Sequence, residues 1–282
     1  MMELFARGKL NLTLDVLGKR ADGYHDLRMI MQTVALADRL TVAEEGTGIH
    51  VSSNLSYLPC DGRNLAARAA EAYFAAAGRE APGLAISIEK VLPVCAGVAG
   101  GSSDAAAVLR GLQEKYNLLS KDALQAAATE IGSDVPYCLA GGTMLAEGRG
   151  EVLTSLPPMP ETVVVICKPR FFVRTPMLFA AIDAAKLRCH PDTAGALEAL
   201  EAGDVARLAR RMYNVFEDVM PAPRAAVIAA IKKTLIDGGA LGAAMSGTGP
   251  TVFGLFADAA PANKTAARLR REYRDVFVSK TV

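Results

Sequence analysis

The chain has 282 residues, 51% of them apolar and 22% charged, with a formal net charge of +1. This length fits two domains better than one core, the apolar content excludes a disordered chain, and the balanced charge excludes a surface built to neutralise nucleic acid. Five cysteines without a C-x-x-C pair, beside three histidines, argue against a zinc site or disulfide framework and point to a reducing, cytoplasmic setting.

Arg7 and Lys9 interrupt any apolar leader at the start, so no secretory signal is expected. The longest uncharged run, residues 238–257, holds six glycines and Pro250, which is not how a membrane span is built. Leu10, Leu12, Leu14 and Val16 alternate with Asn11, Thr13 and Asp15, which predicts a strand with one buried face and sets Lys9, Asn11 and Thr13 together on the other.

Residues 64–78 (NLAARAAEAYFAAAG) read as a helix closed by Gly78, residues 84–94 as a strand running to Pro93, and residues 102–116 as a helix opened by serines. Ser120 is placed to cap the next helix. IGSDVPYCLAGG sets Asp134 two residues before Pro136, a residue suited to a first helical turn. Three prolines in LPPMPET, residues 156–162, predict a domain boundary, giving domains 1–157 and 158–282. Beyond it VVVICK reads as a strand, and GALGAAMSGTGPTVFGLF as two strands around a glycine-rich turn. A helix through Leu269 and a strand near residues 276–278 complete a mixed α/β unit.

The chemistry concentrates in AGVAGGSSDAAA, residues 96–107. Glycine lets a ligand approach peptide N–H groups closely, and a helix start adds unpaired N–H groups and the positive dipole end. Gly97, Gly100, Gly101, Ser102 and Ser103 therefore resemble an anion cradle suited to a polyphosphate, although the same residues would also serve a plain strand-to-helix turn. No Lys followed by Ser or Thr comes after Gly101, which excludes a P-loop, and G-x-G-x-x-G is not met. SGTGP, residues 246–250, reads by itself as an ordinary hairpin turn, its functional alternative being a second wall of the same cleft.

Four segments in order, KLNLTLDVLGKRADGYHDL, LPVCAGVAGGSSDAAA, IGSDVPYCLAGGTMLAEGRGE and MSGTGPTVFG, resemble the small-molecule kinase superfamily named after galactokinase, homoserine, mevalonate and phosphomevalonate kinases. RADGYH, GSDVP and NVFE at residues 214–217 narrow the resemblance to the 4-diphosphocytidyl-2-C-methyl-D-erythritol kinases of the non-mevalonate route to isoprenoid precursors. The resemblance implies an α+β fold of two domains, the first like ribosomal protein S5 domain 2 and the second ferredoxin-like, with the active site in a cleft between them. It also implies ATP and Mg2+ and a CDP-methylerythritol acceptor phosphorylated on its 2-hydroxyl. A monomer or homodimer is expected, without membrane or nucleic-acid partners.

By the same resemblance Asp134 accepts the hydroxyl proton, with Lys9 beside it. Asn64 lies near adenine, and Lys90 with the segment Pro93, Val94, Cys95, Ala96, Gly97, Val98, Ala99, Gly100, Gly101, Ser102 and Ser103 holds ATP. Asn11, Tyr24, His25 and Thr175 face the acceptor, Tyr24 and His25 at its cytidine head. Each residue also has a plainer reading: Lys9 and Lys90 as surface strand lysines, Asp134 as a helix cap, Tyr24 packed and His25 exposed in a hairpin, Thr175 as a helix start. Two departures stand out. Ala99 occupies a usual glycine position, tolerable at negative φ, and Gly8 replaces a usual alanine. The competing functions are a sister kinase for homoserine or mevalonate and a nucleotide sensor without turnover, which would lack Lys9 or Asp134.

Overall fold

In the computed structural model, which describes residues 1–187 and 189–282, the chain divides into two compact units that interleave in sequence. The first comprises Met1–Gly8, Leu36–Val94 and Ala99–Gly141, the second Lys9–Ala35, Cys95–Val98 and Gly142–Val282. The interleaving arises because β1 (Met2–Lys19) and β2 (His25–Glu44) each contribute one end to each unit. Residues 156–162, where the prolines fall, lie inside the second unit.

In the first unit β3 (Ile49–Ser53) pairs in parallel with β4 (Leu84–Glu89), and β4 pairs antiparallel with residues 39–44 of β2. Four helices belong to this unit: α1 (Leu65–Ala76), α2 (Gly100–Tyr116), α3 (Lys121–Ile131) and α4 (Val135–Ala140). Buried alanines on α1 and α2, among them Ala66, Ala69, Ala70, Ala105 and Ala106, let these helices pack closely. Asn64 and Ser120 cap α1 and α3 through their side-chain oxygens, accepting from the N–H groups of Ala66 and Ala123.

Two boundaries differ from the sequence expectation. β4 stops at Glu89 instead of running to Pro93, because the Asp38 carboxylate accepts the N–H groups of Val91 and Leu92 at 2.5 and 2.7 Å, which removes them from any strand ladder. α2 starts at Gly100, two residues before the serines, and its cap residue is Ala99.

In the second unit residues 27–32 of β2 pair antiparallel with β5 (Thr143–Gly148), which pairs with β6 (Val152–Ser155). There follow β7 (Val163–Lys168), α5 (Thr175–Ala184), α6 (Thr193–Glu201), α7 (Val205–Ala209) and β8 (Tyr213–Asn214), then a 3-10 turn over Val215–Glu217. β8 pairs in parallel with β1 at Thr13 and Leu14. The unit ends with α8 (Ala222–Asp237), β9 (Gly242–Met245), β10 (Val252–Phe256), α9 (Ala259–Leu269) and β11 (Asp275–Lys280). An antiparallel sheet runs in the order β11, β7, β10, β9, packed against α8 and α9. Its central strand β10 is buried throughout, which explains its unbroken apolar run.

The alternation in β1 separates two chemistries but does not mark a wet face. Lys9, Asn11, Thr13 and Asp15 are as buried as Leu10, Leu12, Leu14 and Val16. A buried polar row must be hydrogen-bonded, and here Thr13 Oγ1 accepts the N–H of Ile30 at 3.1 Å. Among the described residues no helix is long and apolar enough to cross a membrane.

Candidate active site

The segment before α2 alternates in handedness. Cys95, Gly97 and Ala99 have φ of 51°, 79° and 59°, whereas Ala96 and Val98 between them stay on the ordinary side. Such alternation turns successive N–H groups toward one point, the geometry of an anion nest. The carbonyls are engaged instead. Ala96 O accepts from Thr251 N at 3.3 Å, Gly97 O from Ser246 Oγ at 2.8 Å, Val98 O from Lys9 N at 3.1 Å and Ala99 O from Ser103 N at 2.8 Å. None of the N–H groups of residues 97–102 donates to a protein acceptor among the described residues. No side chain caps α2. The Ser103 hydroxyl donates to Arg7 O at 2.7 Å, which leaves half-buried Ser102 as the serine of the first turn suited to a ligand.

The two glycine-rich segments meet inside the second unit. A Cβ on Gly97 would lie 2.1 Å from Ser246 O, so only glycine permits the approach. Asn11 organises this meeting: its Oδ1 accepts from Lys9 Nζ at 2.7 Å and Gly247 N at 2.9 Å, while its own N–H reaches Ser246 Oγ at 3.2 Å. NVFE supports it from behind, since Asn214 Nδ2 donates to the carbonyls of Met245 and Gly247 and Glu217 accepts the Met245 N–H. Thr175 opens α5 and its hydroxyl lies 3.0 Å from that of Thr248 in the second glycine segment.

In the first unit Asp134 occupies the cap position of α4 without a capping hydrogen bond, so capping does not explain it. Half-buried Arg110 donates to the carbonyls of Cys138 and Leu139 at the other end of α4, where the helix dipole favours a cation, and so ties that helix to α2. Asn64 spends its side chain locally, capping α1 and donating to Pro59 O. Lys90 is not an exposed strand lysine: its Nζ lies 2.5 Å from Asp38 Oδ2 and 2.6 Å from Asp104 Oδ2, all three groups being buried. Burial alone would lower the amine pKa, but the Asp104 and Asp38 carboxylates outweigh it and raise it. Burial pushes Asp104 up to about 7, against the pull of Lys90, and its Oδ1 has no hydrogen-bond partner.

Tyr24 and His25 reverse the plainer expectation, Tyr24 being exposed and His25 buried. The His25 ring stacks on Phe179, centroids 4.6 Å apart, and its Nε2 lies 2.6 Å from Asp183 Oδ1. Lys19 also reaches Asp183, and together the Lys19 ammonium and His25 hold that carboxyl below its usual range. Phe179 in turn meets Phe216 of NVFE edge-on at 5.0 Å. The guanidinium of Arg149 lies 4.9 Å from the Tyr24 ring centroid.

Known proteins resemble this chain over its whole length. Residues 64–142 match the GHMP kinases N terminal domain and residues 196–275 the GHMP kinases C terminal model. A 4-diphosphocytidyl-2-C-methyl-D-erythritol kinase of Clostridium kluyveri is 42% identical over 100% of both chains, and one of Syntrophomonas wolfei is 44% identical over 98% of this chain and 96% of its own. The chain belongs to the 4-diphosphocytidyl-2-C-methyl-D-erythritol kinase family. A crystal structure of a 4-(cytidine 5'-diphospho)-2C-methyl-D-erythritol kinase superposes with a TM-score of 0.83 at 35% identity, covering 99% of each chain. The homoserine kinase of Cytophaga hutchinsonii, at 21% identity and a TM-score of 0.74, shares the fold. This kinase accordingly has the two-domain α+β fold of its family.

Sequence reasoning missed Asp38, Asp104, Asp183 and Phe179. One signal was present for Asp104: a carboxylate beside the apolar run AAAVL must face a partner once that run is buried. The others depend on contacts between distant segments.

Ala99 stands at positive φ, so the condition under which its methyl would be harmless is not met. The left-handed region costs an L-residue about 1–2 kcal/mol, of which glycine's extra unfolded-state entropy cancels about 0.4–1. Ala99→Gly in the kinase is therefore expected to stabilise by a few tenths to about 1 kcal/mol, read as a raised urea midpoint; an unchanged or lowered midpoint contradicts the strain. A second expectation concerns pH. Asp104 ionises near 3.8 when unfolded but only near 7 when folded, so between these values the folded state binds the extra proton and stability falls as pH rises. Asp104→Asn should flatten that decline in unfolding free energies measured from pH 4 to 8, and parallel curves for the two proteins would refute it.

Proposed function

We propose that the kinase transfers the γ-phosphoryl group of ATP to the 2-hydroxyl of 4-(cytidine 5'-diphospho)-2-C-methyl-D-erythritol, a step toward isoprenoid precursors. The full-length likeness to kinases of that name supports the acceptor. The observation that carries the nucleotide half is the segment of alternating handedness, residues 95–99, whose carbonyls are pinned while the N–H groups that follow stay unpaired into an uncapped helix. Phosphate oxygens complete such a segment. We infer that Pro93 to Ser103 cradles the polyphosphate, with Lys90 and Asn64 serving the nucleotide by fixing the surrounding backbone. The family models fall on either side of position 157, which supports a partition into kinase domains 1–157 and 158–282.

Phosphoryl transfer needs an acceptor oxygen held in line and negative charge balanced. Asp134 is assigned the hydroxyl proton. As that proton leaves, the 2-oxygen bonds to the γ-phosphorus, the bond from phosphorus to the bridging oxygen breaks, and ADP departs. Lys9, buried and oriented by Asn11, supplies positive charge. His25, with Tyr24 next to it in sequence, is assigned the cytidine head: a flat ring already stacked on Phe179 and fixed by Asp183 is suited to reading a base. The donors of the cradle, N–H groups and the Ser102 hydroxyl, fit phosphate oxygens and not a bare cation. Mg2+ would thus be carried by the nucleotide phosphates, whose charge it neutralises.

The reading is tested by ATP consumption with the cytidine diphosphate acceptor, homoserine and mevalonate offered separately; turnover confined to the first is expected, and preference for either other acceptor, or no turnover at all, would overturn it. In Asp134→Asn the loss of a proton acceptor, typically worth about 10²- to 10⁴-fold, should cut kcat by at least about tenfold. ATP affinity by calorimetry should change little. A variant with the parent kcat would remove Asp134 from the chemical step.

A further inference from the structure

The buried group formed by Asp38, Lys90 and Asp104 joins the two ends of the candidate phosphate segment. On the entry side Asp38 Oδ1 accepts the N–H groups of Val91 and Leu92, at 2.5 and 2.7 Å, and Oδ2 meets Lys90 Nζ. On the exit side the same Nζ reaches Asp104 Oδ2, in the second turn of α2, at 2.6 Å. Asn54 completes the entry side, accepting from Lys90 N at 2.9 Å and donating to Lys90 O at 3.2 Å. A Cβ on Gly100 would lie 3.3 Å from Lys90 Nζ, so the amine lies directly behind the first residue of the helix.

One amine between two carboxylates is a poor arrangement for stability alone. Burying ions is costly, and a second acid leaves excess negative charge close to a helix start that is to receive phosphate. What it supplies is geometry. Residues 97–102 reserve their N–H groups and so lack the internal bonds that would fix the spacing between residue 92 and residue 100. A dry ionic bridge, little screened by salt, fixes it instead.

We propose that Asp38 and Asp104 are positioning residues for ATP, acting through Lys90 to hold the entry and exit of residues 93–103 at the spacing the phosphates require. This rests on the reading of that segment as the phosphate cradle. The clamp should therefore affect the nucleotide and leave the acceptor alone, which general destabilisation would not do.

The test uses the full chain, assayed well below each variant's measured melting temperature. Small displacements of a positioned group cost up to about 10²-fold. We expect Asp38→Asn to raise the KM for ATP about tenfold and Asp104→Asn about threefold, with kcat and acceptor KM within about twofold of the parent. Should Asp38→Asn fail to fold, Asp104→Asn, which keeps the Asp38 to Lys90 pair, decides alone. An ATP KM unchanged in the folded variants, or equal rises in both KM values, overturns the clamp. Gly101→Asp is the companion variant, placing negative charge on an exposed residue in the first turn of α2. If it raises the ATP KM while the clamp variants do not, the clamp fails and the cradle stands. If it too leaves the ATP KM unchanged, the cradle reading itself has failed.

Discussion

A backbone segment that leaves its own N–H groups unpaired cannot use those groups to hold itself in place. This constraint organises the structure around residues 95–102. Four consecutive carbonyls, from Ala96 to Ala99, are fixed by donors from Thr251, Ser246, Lys9 and Ser103, and the peptide planes are thereby set with their N–H groups free for a ligand. Two residues with side chains, Cys95 and Ala99, accept left-handed conformations to complete the path. The cost, about 1–2 kcal/mol each, is carried by the contacts around them.

Those contacts explain why NVFE belongs with the glycine segments although it bears no obvious chemistry. Asn214 and Glu217 hold the backbone at Met245 and Gly247, that backbone meets Asn11 and Gly97, and Phe216 supports Phe179 beneath the His25 ring. One short motif thus braces both the proposed nucleotide cradle and the ring assigned to the cytidine head. Lys9, from the first strand, is oriented by the same Asn11 that accepts from Gly247. Precision at the proposed reacting groups comes from second partners, each side chain being held by another whose own position is fixed.

The buried triad of Asp38, Lys90 and Asp104 carries the corresponding cost in the first unit. Removing its amine would leave two buried carboxylates without their cation, the kind of uncompensated change that typically costs about 3–5 kcal/mol. Asp38 has two peptide N–H groups as well as the amine, whereas Asp104 has the amine alone and one unpartnered oxygen. Burial raises the Asp104 pKa to about 7, against the pull of Lys90.

Much of this protein is determined by local chemistry and was legible from its sequence. Period-two alternation placed the strand carrying Lys9 and Asn11, Asn64 and Ser120 marked helix starts, Pro136 marked the short helix after Asp134, and glycine spacing marked both loops, because each depends on steric or capping rules that act within a few residues. The order of four motifs pointed to the family. Tertiary structure alone decided that both faces of β1 are buried from Gly8 to Val16, that Val91 and Leu92 leave the strand for Asp38, that Ala99 adopts positive φ, and that His25 packs inward while Tyr24 does not. Each of these turns on a partner distant in sequence, 52 residues away for Lys90 and Asp38 and 158 for His25 and Asp183. Burial and charge pairing are properties of the assembled chain, and no window of neighbouring residues contains them.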